Sequence, residues 1–256
     1  MARPQVRRKQ LLMSSDPTDR APALGDQTEK AAPATASRAE IDAFLSRVNT
    51  LDPAVERGRL IFALDATMSR QPTWDQACRL QADMFREAAA GGGLAIQLVY
   101  YRGLGECRAS PWIAEPQRLG ALMSRIDCRG GHTQIGKVLA HAGRENDSGK
   151  VAALVFVGDA MEEALDDLCA GADALGLRNV AAFMFQEGYD PICEQAFREI
   201  ARLTRGAYCR FAPGAAHELA ELLRAAAAYA AGGMTALAAL KARQSAGADR
   251  LIEQLK

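Results

Sequence analysis

The stretch RLIFALDATMSR, Arg59 to Arg70, decides the fold. Leu60 to Leu64 are apolar without interruption. Such a run marks a central strand of a parallel sheet, covered by helices on both faces. It ends in Asp65, Thr67 and Ser69, oxygen-bearing side chains at every second position. Alternate residues of an extended segment point the same way, so the three converge where the strand leaves the sheet.

Outward from this strand, apolar runs alternate with helical periodicity. TWDQACRLQADMFREAAA (73–90) sets Trp74, Ala77, Leu80, Met84 and Ala88 on one helical face, and a glycine triplet stops it. LAIQLVYY (94–101) is a second strand, and the ECRAS segment with Pro111 beyond it suits a short edge strand. Helices follow at 116–126 and after Gly130-Gly131-His132. VAALVFVG (151–158) and NVAAFMFQ (179–186) are strands, with a helix from Met161 between them, where Glu162 and Glu163 suit the positive end of the dipole. Asp190-Pro191 caps a further helix, GAYCRF (206–211) is the last strand, and a helix runs from Pro213 to about Ala231. Strands alternating with helices give an α/β sheet built from right-handed crossovers.

Residues 1–37 are rich in Ala, Pro, Ser, Thr and charge without periodicity and read as a disordered tail. Ile41, Phe44, Leu45 and Val48 form the apolar stripe of an amphipathic helix leading into the domain, which spans 38–231; residues 232–256 are a helical extension. Its apolar positions Leu237, Leu240, Leu251, Ile252 and Leu255 either pack back on the domain or hold a partner.

Lys plus Arg and Asp plus Glu number 31 each, so no global field draws nucleic acid or an anionic membrane. The Ala225–Leu240 run is broken by Gly232-Gly233 and falls short of the ~20 residues of a membrane span, so none is expected. The basic N-terminus has no apolar stretch of signal-peptide length. Six scattered cysteines without a C-x-x-C pair read as reduced thiols and a cytoplasmic location. The excess of arginine over lysine, with abundant alanine, points to a GC-rich genome.

Ligands of an open α/β sheet bind at the carboxyl ends of strands, where strand order reverses. Aspartate stands directly after two apolar runs, as Asp65 and Asp159, and Thr133 follows a glycine loop at a helix start. Two carboxylates and three hydroxyls are hard oxygen donors, suited to Mg²⁺ or Mn²⁺, less to Ca²⁺, and poorly to zinc or copper. Such a set leaves an ion under-neutralised, with room for an anionic oxygen from outside.

DATMS, a threonine after a glycine loop and an aspartate after the next central strand resemble the metal-ion-dependent adhesion site of von Willebrand factor A (vWA) domains, D-x-S-x-S, then T, then D. Asp65, Thr67 and Ser69 match the first element, Thr133 the second and Asp159 the third, and the likeness covers about 59–230. Thr67 stands where serine is commoner, and Gly158-Asp159-Ala160 where the family often has Thr/Ser-Asp-Gly. The resemblance, closest to stand-alone intracellular bacterial members, implies a mostly parallel six-stranded sheet of order 3-2-1-4-5-6 with one antiparallel edge strand. It also implies a bound Mg²⁺ that grips an Asp or Glu of a protein partner, without catalysis.

Competing readings make distinct expectations. Asp65, Thr67 and Ser69 could serve only as helix caps. A zinc site at His132, Cys128 and Cys107 lacks further ligands at finger-like spacing. A Mg²⁺-dependent phosphatase with a D-x-D-x-T motif would need a second aspartate where Thr67 stands, and that position supplies acid–base chemistry. A degenerate scaffold would bind partners without metal.

Overall fold

The computed structural model describes residues 57–88 and 93–255. The tail and the amphipathic helix read from 1–37 and 38–48 lie outside the described residues. The strands are β1 (Gly58–Asp65), β2 (Leu94–Arg102), β3 (Glu106–Ala109), β4 (Ala153–Gly158), β5 (Ala181–Glu187) and β6 (Ala207–Phe211). The helices are α1 (Gln71–Ala88), α2 (Pro116–Met123), α3 (Ile135–Ser148), α4 (Leu165–Leu177), α5 (Pro191–Leu203), α6 (Ala216–Ala242) and α7 (Ala246–Ile252).

The six strands form one sheet in the order β3-β2-β1-β4-β5-β6. Among the described strands only the β2–β3 pair is antiparallel, so the fold is the doubly wound α/β architecture that the strand pattern implied. β1 lies at its centre, in register with β2 from Gly58↔Leu94 to Asp65↔Tyr101 and with β4 from Leu60↔Ala153 to Leu64↔Val157. Asp65 therefore ends beside the exits of both neighbours, at the point where strand order reverses.

The uninterrupted apolar run of β1 serves two cores. Leu60, Phe62 and Leu64 pack with Trp74 and Met84 of α1, Leu119 of α2 and Leu222 of α6. Ile61 and Ala63 pack on the other face with Val138 and Leu139 of α3, Leu168 of α4 and Phe197 of α5. Burial on both faces removes any gain from polar alternation, and burying each large side chain contributes about 1.5–3 kcal/mol. At the β3 edge, the Trp112 indole donates to Glu145 Oε2 of α3 at 2.8 Å, under the Arg59 guanidinium 4.0 Å away.

α6 is broken at Gly232 and Gly233, the latter at φ 62°, where the sequence places its glycine pair. This helix is long and apolar enough to cross a membrane by length and composition. Here its Leu219, Leu222, Leu223 and Ala225–Ala228 pack against the sheet. Leu237, Leu240 and Leu251 lie in the same core, and Ile252 and Leu255 pack on its margin, so the C-terminal residues fold back on the domain. Gln254 closes the β6 edge: its Oε1 accepts from Tyr208 N at 2.9 Å and its Nε2 donates to Tyr208 O at 2.8 Å. A side-chain amide thus stands in for a neighbouring strand on a row of groups that would otherwise template pairing with another chain. All six cysteines are free.

Candidate metal centre at the carboxyl end of the sheet

Asp65, Thr67, Ser69, Thr133 and Asp159 line one open cleft of about 270 Å³, together with Met68, Gly130, Gly131, Ala160 and Glu162. Five oxygen-bearing side chains from three separate chain segments meet above β1 and β4.

Local turns, not continued strand geometry, bring the first three together. The Asp65 carboxylate accepts the Thr67 N–H at 2.7 Å. This side-chain-to-backbone turn folds the chain back on itself. A single 3₁₀ turn, Met68–Arg70, follows, with Arg70 N donating to Thr67 O at 3.0 Å. Thr67 occupies the cap position of that turn, but its side chain makes no capping bond. The Thr67 and Ser69 hydroxyl oxygens lie 3.4 Å apart, and Ser69 Oγ is 3.4 Å from Asp159 Oδ2. O–H···O bonds centre on about 2.7–2.8 Å, so these oxygens are adjacent but slackly paired.

Thr133 is held by reciprocal bonds across the cleft. Its N–H donates to Glu162 Oε2 at 3.0 Å, and its hydroxyl accepts from Glu162 N at 3.0 Å. Glu163 accepts from Ile135 N at 2.5 Å and Gly136 N at 2.9 Å, the opening amides of α3. This corrects the sequence expectation that Glu162 and Glu163 begin a helix: α4 starts at Leu165, and both carboxylates cross to the amino end of α3 instead. There they satisfy N–H groups that a helix start leaves without partners. The loop approaches the β2–β3 turn closely. A Cβ on Gly131 would lie 2.2 Å from Gly103 O and 2.4 Å from Gly103 N, so only glycine fits.

Beneath the cleft lies a polar layer that local pattern did not reveal. Arg70, 3% exposed, reaches Asp159 Oδ2 at 3.6 Å and pairs closely with Glu187 at the end of β5. Glu187 also accepts from Thr73 Oγ1 and, at 3.2 Å, from Gly214 N. Among the described residues, the Arg70 Nε and the Tyr101 hydroxyl are buried with no hydrogen-bond partner. Tyr101, the β2 neighbour of Asp65, stacks on Phe156 with ring centroids 6.1 Å apart. Its only sequence signal was an aromatic residue at a strand exit.

Burial raises the Asp65 carboxyl above the usual carboxylate range, against the Thr67 hydroxyl and amide; nearby Asp159 raises it further and Arg70 lowers it. Burial also pushes the Tyr101 phenol well up, and the Asp65 charge adds to the effect. The Thr133 N–H, first, and His132 hold the Glu162 carboxyl below its ordinary value. His132 Nδ1 lies 3.2 Å from Glu162 Oε2.

Among the described residues, no group of three or more His, Cys, Asp or Glu side chains is placed to hold an ion. The zinc arrangement at His132, Cys128 and Cys107 therefore does not form. The mixed set in the cleft suits a hard divalent cation on its chemistry: two carboxylates, three hydroxyls, no nitrogen or sulfur. Oxygens on adjacent corners of a six-coordinate Mg²⁺ lie about 3 Å apart, close to the two spacings in the cleft.

No family model matches the sequence, and no curated protein matches it. The fold has clear relatives among solved structures. The SpRpn10 VWA domain superposes with a TM-score of 0.52 at 12% identity, over 64% of this chain and 94% of that one. The pilus adhesin SpaC from Lactobacillus rhamnosus GG, in its open conformation, superposes with a TM-score of 0.50 at 9% identity, over 68% of this chain and 30% of that one. At such identities the likeness concerns the fold alone: this chain carries a vWA-like fold.

Proposed function

We propose that this chain is a protein-interaction module that binds a divalent cation, Mg²⁺ or Mn²⁺, and through it grips an Asp or Glu of a partner protein. The supporting observation is the meeting of Asp65, Thr67, Ser69, Thr133 and Asp159 in one open cleft at the switch point of a vWA-like sheet. These five residues would hold the ion, directly or through water. When bound, the ion supplies positive charge for an incoming carboxylate.

The protein's own residues set up that grip. The Thr67 N–H and the 3₁₀ turn fix Asp65 and Ser69 relative to each other. Glu162 ties Thr133 to the loop that carries Asp159. Arg70 stands behind Asp159, so part of that carboxylate's charge is already met from below. Two carboxylates, one of them partly compensated, leave a dication with net positive charge facing solvent, which favours an external anion. Binding without turnover is the reading favoured by Thr67, a hydroxyl where acid–base chemistry would require a second carboxylate.

The test is affinity capture from a lysate of the source cells, in Mg²⁺ and in EDTA, with wild type and Asp65→Ala. A partner retained only by wild type in Mg²⁺ supports the reading; equal recovery in EDTA and by the variant overturns it.

A further inference from the structure

Among the described residues, large apolar side chains in solvent are distributed unevenly. Met68 (66% exposed) is within the cleft loop, Leu104 (86%) on the β2–β3 turn, and Tyr189 (66%) and Ile192 (59%) follow β5. All four are on loops or helix starts at the carboxyl end of the sheet, on both sides of the candidate metal centre. Leu177 and Met234 are the other large exposed apolar residues among those described, and both lie toward the opposite end. Exposed apolar side chains gathered around a polar centre mark an interaction surface.

Their spacing carries a sequence preference. The cleft lies above β1 and β4, with β2 on one side and β5 on the other. Neighbouring strands are about 4.8 Å apart, so the exits of β2 and β5, which lead to Leu104 and to the Tyr189–Ile192 segment, each flank the cleft centre by about 7 Å. An extended peptide rises about 3.3 Å per residue and alternates its side chains, so two residues cover that distance and return to the same face. Glu162 also lines the cleft and disfavours a second acid beside the first. From these placements we infer that the partner presents an extended segment of the form apolar–x–acid–x–apolar, its acid at the metal and its apolar side chains on Leu104 and on Ile192 with Tyr189. The inference rests on the metal-grip reading and specifies its ligand.

The test is selection from a displayed nonapeptide library with a fixed central Asp, panned against the full chain in Mg²⁺. Enrichment of aliphatic or aromatic residues at positions −2 and +2 is expected. Leu104→Ser and Ile192→Ser should each weaken a selected peptide about tenfold while leaving Mg²⁺ affinity unchanged. Mg²⁺-dependent peptides without that positional preference, or with affinity unmoved by both substitutions, overturn the inference and leave the metal grip standing. Peptides that bind equally in EDTA, or equally with Asn in place of the fixed Asp, overturn the metal grip and this inference with it. Selection of no Mg²⁺-dependent peptide also overturns the inference.

Discussion

Replacing Glu187 by glutamine tests the polar layer under the cleft. Arg70 and Glu187 are 3% and 9% exposed at their side chains, and the same Glu187 carboxylate accepts from Thr73 and Gly214. The substitution keeps the shape and removes the charge, leaving Arg70 with Asp159 as its nearest anion at 3.6 Å. Breaking a buried ion pair from one side costs about 3–5 kcal/mol, because the surviving charge stays desolvated. Asp159 compensates in part, so the low end, about 3 kcal/mol, is expected here. Unfolding a domain of roughly 200 residues carries an entropy near 0.4 kcal/mol per degree, so Tm should fall by about 7 °C. Urea denaturation should show a lower midpoint with an unchanged slope. Mg²⁺ affinity should also fall, since Arg70 then competes for Asp159. Replacing both partners, Arg70→Met with Glu187→Gln, should recover part of the lost stability, because the glutamine still accepts from Thr73 and Gly214. A Glu187→Gln protein within about 1 kcal/mol of wild type would refute the claim that this pair supports the cleft floor.

Further outcomes follow from other parts of the site. Gly131→Ala forces a methyl into the Gly103 backbone and should cost about 1–3 kcal/mol while weakening Mg²⁺ binding, read by denaturation and titration on one sample. In EDTA, burial raises the Asp65 carboxyl, so the folded state holds its proton more tightly than the unfolded chain. Stability should therefore fall as pH rises from the ordinary carboxylate pKa through the raised one, and Asp65→Asn should flatten that slope; an unchanged slope contradicts the assignment. Glu163→Ala strips two amides at the start of α3 of their acceptor and should cost about 1–2 kcal/mol in urea denaturation.

Much of the architecture is legible in the order of residues. Leu60–Leu64 lacks polar alternation because both faces of β1 are covered, and that periodicity survives in one dimension. Asp65 and Asp159 are legible because strand exits are local events and the crossover rule sets β1 beside β4. The manner of convergence was not: an Asp65–Thr67 turn and a 3₁₀ turn gather the hydroxyls, where continued extension was expected. Arg70 and Glu187 are 117 residues apart, and no periodicity links them. Glu162 and Glu163 read as helix-start carboxylates because their partners, Thr133, Ile135 and Gly136, come from another segment. Gln254 on the β6 edge is a similar case, a side chain whose role exists only once two distant segments have docked.

The most direct measurement is calorimetric titration of the metal-free protein with Mg²⁺, paired with thermal unfolding at saturating ion. Wild type should bind one equivalent. At one hundred times Kd the linkage is about 2.7 kcal/mol, which for this size of domain raises Tm by about 6 °C. Asp159→Asn should abolish both the heat and the shift. Absence of both in wild type with Mg²⁺ and with Mn²⁺, or their persistence in Asp159→Asn, would contradict the metal centre.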